Sequence, residues 1–173
     1  MAYFITDKCI GCQVCAKVCP TEAITGALKK LHIIDPELCI DCGACGSYCP
    51  VDCIYDQYGN QTFKIPPKER PTAQVIEELC TGCTNCVAVC PFNCLEMVPA
   101  ESNPHFSVAR DVRPKDCVAC RLCVEVCGDK QSIRIFWPDG REAKNLDKTR
   151  ENPIPIKLSG NVTGYWKEQV YIR

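Results

Sequence analysis

The sequence has no run of 18 consecutive apolar residues, which predicts that no helix crosses a membrane. Its start, MAYFITDKC, has no basic leader, no long apolar stretch and no small-residue cleavage site, so export is not expected. There is no G-x-G-x-x-G after a strand-like run, no P-loop and no nucleophile beside a paired base, so no catalytic site is expected. An excess of basic charge is missing too. The formal net charge is −1; residues 1–136 carry 13 Lys+Arg against 16 Asp+Glu and residues 137–173 carry 7 against 5, so nucleic acid is not an expected partner. Carbon-rich core formers are also scarce. The hydrophobic fraction is 46%, but 18 cysteines make up about a tenth of the chain, leaving about 36% for the rest.

Cysteine is what the chain has in abundance. A secreted disulfide scaffold is the usual meaning of such a content, but without export a cytoplasmic, reducing setting is expected, where such spacings bind metal. Small domains bury too little surface to be stable on apolar packing alone, so bound metal is also the expected source of stability.

Sixteen of the cysteines form four copies of one spacing: CIGCQVCAKVCP at 9–20, CIDCGACGSYCP at 39–50, CTGCTNCVAVCP at 80–91 and CVACRLCVEVCG at 117–128. The first cysteines, Cys9, Cys39, Cys80 and Cys117, are 30, 41 and 37 residues apart. Self-similarity of this kind defines the architecture. The long central interval holds KIPPKERP (64–71), which reads as a linker between two domains of two repeats each. Tyr3–Ile5, Leu31–Ile34, Phe106–Val108 and Ile133–Phe136 read as short strands flanking the cysteine loops. The C-x-x-x-C end of each run, such as Cys15–Cys19, spans one helical turn, and Pro20, Pro50 and Pro91 then stop it.

A zinc site takes four ligands in a tetrahedron, usually as two pairs from separate turns. Three cysteines each two residues apart, with a distant fourth, suit the several corners of a [4Fe–4S] cube instead. The run C-x₂-C-x₂-C-x₃-C-P is the bacterial ferredoxin spacing, in which the fourth cysteine serves the other cluster of a pair. On these motifs, residues 1–136 resemble two bacterial two-cluster ferredoxins in tandem. The resemblance implies an α+β chain of two βαββαβ ferredoxin-like domains, at 1–65 and 66–136, followed by an extended tail at 137–173.

It further implies four [4Fe–4S] clusters. Cys9, Cys12, Cys15 and Cys49 would hold the first, and Cys39, Cys42, Cys45 and Cys19 the second. Cys80, Cys83, Cys86 and Cys127 would hold the third, and Cys117, Cys120, Cys123 and Cys90 the fourth. Iron–sulfur subunits of many molybdenum oxidoreductases resemble the chain as well but pair motif one with four and two with three; that nesting would give Cys127 to the Cys9 triplet and Cys49 to the Cys80 triplet. In repeat four Gly128 stands where proline is expected and one extra residue precedes Ile133, so an altered site is expected, if anywhere, at Cys127.

Gly11, Gly43 and Gly82 allow tight bends and bring amide groups toward the sulfurs. Ile10, Val14, Val18, Ile40, Val87 and Val118 are expected to exclude water. Cys53 and Cys94 fall where the first repeat has Ala23, so both are read as small buried packing residues rather than ligands. His32 and His105 are read as structural.

A cube with four cysteine ligands leaves no iron open to substrate, so the expected work is one-electron transfer. With oxidised clusters contributing about −2 each, the loaded chain would carry about −9 and dock on positive surfaces. Size, four motifs and tail resemble the small iron–sulfur subunit of tungsten enzymes of the aldehyde oxidoreductase family, in the form found in class II benzoyl-CoA reductase of obligate anaerobes. That likeness implies a large tungsten–pterin catalytic partner and a further electron-donor protein. A free polyferredoxin, or a subunit of a molybdenum enzyme or hydrogenase, is the alternative. The tail's Tyr165, Trp166, Val170, Tyr171 and Ile172 are the side chains expected to anchor a partner.

Overall fold

The computed structural model describes residues 2–143. The predicted partner-binding residues Tyr165 to Ile172 lie outside the described residues. The chain divides into two compact units, the first running to Ile65 and the second beginning at Pro66.

In the first unit the elements run β1 (Phe4–Ile5), α1 (Val14–Lys17), β2 (Ile24–Thr25), β3 (Ile33–Ile34), α2 (Ala44–Tyr48) and β4 (Ile54–Tyr55). β1 pairs antiparallel with β4 (Phe4 opposite Tyr55, Ile5 opposite Ile54), and β2 pairs antiparallel with β3. One side of β1–β4 carries a Phe4–Tyr55 ring stack, with centroids 5.5 Å apart. The other side faces a core of Tyr3, Ile5, Ala23, Ile24, Ile34 and Ile54 together with Cys15, Cys45, Cys49 and Cys53. Four of those ten buried side chains are thiols, so this core is built around whatever the thiols hold.

The second unit repeats the order with longer strands: β5 (Thr72–Val75), α3 (Asn85–Val89), β6 (Leu95–Pro99), β7 (Ser107–Asp111), α4 (Leu122–Cys127) and β8 (Ile133–Phe136). β5 pairs with β8 over four positions and β6 with β7 over five, both antiparallel. Within the segment read as a linker, Pro67–Glu69 forms a 3₁₀ turn and Pro71 is fully buried.

Residues 137–143, read on sequence as the start of the tail, fold back on β8. Trp137 N–H donates to the Arg141 carbonyl at 2.8 Å and Ala143 N–H to the Ile135 carbonyl at 2.7 Å. Phe136 bridges Glu142, and Gly140 turns the chain at φ 84°. The first unit ends in the same way: Asp56 N–H donates to Asn60 carbonyl, Thr62 N–H to Ile54 carbonyl, Tyr55 bridges Gln61, and Gly59 has φ 84°. The signal was present as P-D-G, the chemistry of a tight turn.

Candidate iron–sulfur sites

Each cysteine loop begins with a turn that closes on its first cysteine. Cys9 N–H donates to the Thr6 carbonyl, Cys39 to Asp35, Cys80 to Glu77 and Cys117 to Pro114. The loop then takes the left-handed conformation twice. The residue before the second cysteine does so in every repeat (Gly11, Asp41, Gly82, Ala119), and so does the residue after it (Gln13, Gly43, Thr84, Arg121). A third such residue follows the fourth cysteine: Glu22, Asp52, Asn93 and, one position later because of the insertion, Gln131. Backbone that alternates in this way turns successive N–H groups into one concavity, a nest for an anion. Most of these positions being other than glycine, the strain is accepted at a cost of about 1–2 kcal/mol each in an isolated chain.

Gly11 and Gly82 have a second reason to be glycine. A Cβ on Gly11 would sit 2.3 Å from Lys30 N, and one on Gly82 would sit 2.6 Å from the Ser107 carbonyl oxygen.

The thiols gather round voids. Cys9, Cys12, Cys15 and Cys49 line one, with Ile10, Val51 and Cys53 in its wall. Cys19, Cys39, Cys42 and Cys45 line another with Tyr3, Ile24 and Ile40. Cys90, Cys117, Cys120 and Cys123 line a third with Val118, Leu122 and Cys94. Burial raises the Cys86 thiol, and Cys80 and Cys83 stand close enough to raise it further. Cys127 is the last residue of α4 and is half-buried. Among the described residues no three His, Cys, Asp or Glu side chains converge closely enough to hold a single metal ion. Thiols spread round a void of this kind fit a multi-iron body, which four of them can reach at once.

Electrostatics point the same way. Burial, and after it the neighbouring Cys9, pushes the Cys15 thiol up to about 12. Cys45 and Cys123 are raised by burial first and then by the cysteines around them. Thiolates crowded into such pockets repel one another until cations sit among them, so binding of iron and ionisation of the thiols go together. Cys49 runs the other way: a hydrogen bond from Cys53, Sγ to Sγ 3.5 Å, lowers it to about 6, and Cys53 is correspondingly raised.

Cys53 and Cys94 are both buried, in the position of Ala23, as read from sequence. Their backbone explains the equivalence. The carbonyl at this position accepts from the neighbouring strand in all four repeats: Asp35 N–H to Ala23, Thr6 to Cys53, Val112 to Cys94 and Ile76 to Ser132, at 2.6–2.9 Å. Ser132 is therefore the fourth member of the set, displaced by the one-residue insertion and missed on sequence for that reason. Its hydroxyl lies 3.1 Å from Cys127 Sγ. At the same place in the other repeats Ala23 N–H donates to Cys19 Sγ at 3.3 Å and Cys94 N–H to Cys90 Sγ at 3.4 Å. Also missed was Asp111 on β7. Burial raises its carboxyl, its Oδ1 is buried without a hydrogen-bond partner among the described residues, and its charge reaches Cys117.

Of the histidines, His32 is buried with Nδ1 3.1 Å from the Lys30 carbonyl oxygen and Nε2 without a partner among the described residues, while His105 is exposed in a loop. Of the residues expected to screen water, Ile10 and Ile40 are 55% and 43% exposed, so these two line the voids from the solvent side.

Cysteine loops of this construction, two to a unit, define an iron–sulfur protein. The 4Fe-4S dicluster domain is matched over residues 2–55, and a second family of the same description over 38–94 and 79–130. The chain belongs to the 4Fe-4S dicluster domain proteins, and its cofactors are four [4Fe–4S] clusters. The 38–94 match runs across the unit boundary because any two successive repeats carry the same spacing. The ferredoxin-like protein in the nif region of Nostoc sp. is 55% identical over 38 residues, which cover 22% of this chain and 33% of the relative. One subunit of the ion-translocating oxidoreductase complex of Azoarcus sp. is 58% identical over 55 residues, covering 32% of this chain and 30% of the relative. The chain thus spans about a third of each of these relatives. Among solved structures, a chain of the formate dehydrogenase–heterodisulfide reductase–formylmethanofuran dehydrogenase complex from Methanospirillum hungatei aligns over 93% of this chain and 62% of its own, with TM-score 0.40 and 21% identity. No helix among the described residues is long and apolar enough to cross a membrane.

Proposed function

We propose that the chain is a one-electron carrier, the iron–sulfur subunit of an oxidoreductase complex. The observation that carries this reading is the grouping of the cysteines: each void is lined by one triplet and by the fourth cysteine of the other repeat in its unit. On that basis Cys9, Cys12, Cys15 and Cys49 hold one cluster, Cys39, Cys42, Cys45 and Cys19 the second, and Cys117, Cys120, Cys123 and Cys90 another. Equivalence of the repeats assigns the remaining one to Cys80, Cys83, Cys86 and Cys127. The same grouping favours pairing within each unit over the nested alternative.

Bound in such a set, a [4Fe–4S] cluster takes up and gives back one electron with no change of covalent partner. The protein's part is to hold it. Four thiolates would hold the four irons, the backbone N–H groups of the left-handed turns would be donors to the bound group, and side chains such as Tyr3, Ile24, Val51 and Leu122 would keep most water out.

The finer reading is a partnership with a large tungsten–pterin catalytic subunit of the benzoyl-CoA reductase and aldehyde oxidoreductase type, fed by a further electron-donor protein. Its support is the four motifs followed by the cysteine-free segment 137–173. Similarity to a subunit of an ion-translocating oxidoreductase complex favours a second reading, electron delivery within a complex of that kind.

Anaerobic purification of the native protein tests both levels. The expected result is a brown protein that dithionite bleaches, carrying four clusters, and copurifying with a catalytic subunit that mass spectrometry identifies and metal analysis shows to hold tungsten. A full cluster load without any copurifying subunit would leave a free polyferredoxin and end the subunit reading.

A further inference from the structure

The position that holds Ala23, Cys53, Cys94 and Ser132 presents a different group to the fourth cysteine's sulfur in each repeat. Ala23 has only its backbone N–H to give, at 3.3 Å from Cys19 Sγ. Cys53 offers a weak S–H donor to Cys49. Cys94 gives its N–H to Cys90 Sγ, while its own thiol lies 3.8 Å from the Phe92 carbonyl oxygen. Of these four residues only Ser132 brings a hydroxyl, buried and 3.1 Å from Cys127 Sγ, against a longer 3.7 Å from Thr21 Oγ1 to Cys19 Sγ in the first repeat. An iron-bound cysteine has no proton, so the hydroxyl must be the donor.

Two further features fall on the same site. Cys83 is the one exposed cysteine of the eighteen. Lys130 places its ammonium 2.8 Å from Thr81 Oγ1, in the loop between Cys80 and Cys83. At the other site of this unit the surroundings are of opposite character: Cys123 is buried, Cys117 and Cys120 are partly so, and the neighbouring charge is that of Asp111. Hydrogen bonds to sulfur and solvent exposure set the reduction potential of such clusters, because each stabilises the more negative, reduced form.

We propose that Ser132 sets the reduction potential of the cluster held by Cys80, Cys83, Cys86 and Cys127, by donating its hydroxyl hydrogen to Cys127 Sγ, and so makes that cluster the higher-potential member of the pair in residues 66–143. Electrons entering this unit then come to rest on the cluster whose ligand Cys83 is the most solvent-exposed cysteine, which makes that face the exchange port. The inference rests on the ligand sets proposed above. The reaction concerned is the reduction of one cluster by one electron, with no bond made or broken and dithionite as the reductant in the test.

Ser132→Ala and Ser132→Cys in the full-length, cluster-loaded chain are compared with the unaltered protein by anaerobic potentiometric titration followed by EPR. One of the four reduction steps is expected to move to lower potential in Ser132→Ala by about tenfold in its equilibrium constant, ~59 mV for one electron, with the other three unmoved and iron content unchanged. Ser132→Cys should move the same step by less. A full cluster load with no step shifted overturns the proposal, as does a common shift of all four. If Ser132→Ala loses a cluster, Ser132→Cys decides: a retained cluster at intermediate potential supports the proposal, and a lost one makes Ser132 a structural residue and overturns it. Cys127→Ala separates the two levels, because an undiminished iron content in that variant means that the ligand reading itself has failed.

Discussion

Residue 53 carries a thiol where its counterpart in the first repeat, Ala23, has a methyl group, and both are buried. On the ligand sets proposed above, the sulfur supports Cys49 from the side and is not itself required as a ligand. Cys53→Ala should keep the full cluster load by iron analysis while lowering the chain's stability by ~1 kcal/mol in denaturant titration, from one lost hydrogen bond and a small void. Asp111 is a cost of a different kind. Partial burial raises its carboxyl above the ordinary aspartate range. A raised acid is favourable to the fold below its unfolded value and loses that contribution as pH climbs through the folded value, so at neutral pH the folded chain carries the burden of a poorly solvated anion. Asp111→Asn should therefore raise the thermal midpoint at pH 7 by a few degrees, and the gain should vanish below about pH 4. An equal gain at both pH values would show that charge is not the cause.

At the level of elements the decisive feature is the loop wound by repeated left-handed residues. Gly11→Ala and Gly59→Ala both place a side chain at positive φ, but only the first meets backbone, at 2.3 Å, while the second has nothing within 4 Å. Chemical denaturation should show a loss of about 1 kcal/mol for Gly59→Ala and several times that for Gly11→Ala, with iron lost alongside. The cysteine spacing was readable in the sequence because the order of ligands along a loop is written in it directly. The expected strands were found within a few residues, Ile133–Phe136 at both ends. The left-handed turns were half-legible: Gly11, Gly43 and Gly82 announce them, whereas Asp41, Ala119, Gln13, Thr84 and Arg121 adopt the same conformation with nothing in their side chains to mark it. Ser132 was hidden by a single inserted residue. Trp137–Ala143 carried the P-D-G turn signal but were otherwise masked by charge, since a polar hairpin and a polar tail have the same composition.

For the whole molecule, the thiols inside each unit are groups that repel when ionised, held where a cluster belongs. Removal of iron by a chelator under anaerobic conditions should therefore unfold the chain along with bleaching it, and far-UV circular dichroism should fall in step with visible absorbance. Retention of the spectrum after complete bleaching would show that the apo-protein stands without its clusters. Lower pH should ease iron loss, because each thiolate released from iron is then captured by a proton.

The two units differ in how much backbone they have in reserve. Residues 2–65 have two ladders of two cross-strand positions each, whereas residues 66–143 have ladders of four and five. Hydrogen-bonded strands outlast a lost cluster better than a core whose filling has gone. Under oxygen the chain should accordingly fail from its front: a protease added during slow cluster decay should digest residues 2–65 first and leave a remnant of 66–143 that can be followed by mass on the way. In a damaged cell the N-terminal half would then act as a fuse, marking the spent carrier for destruction while half of its iron is still in place.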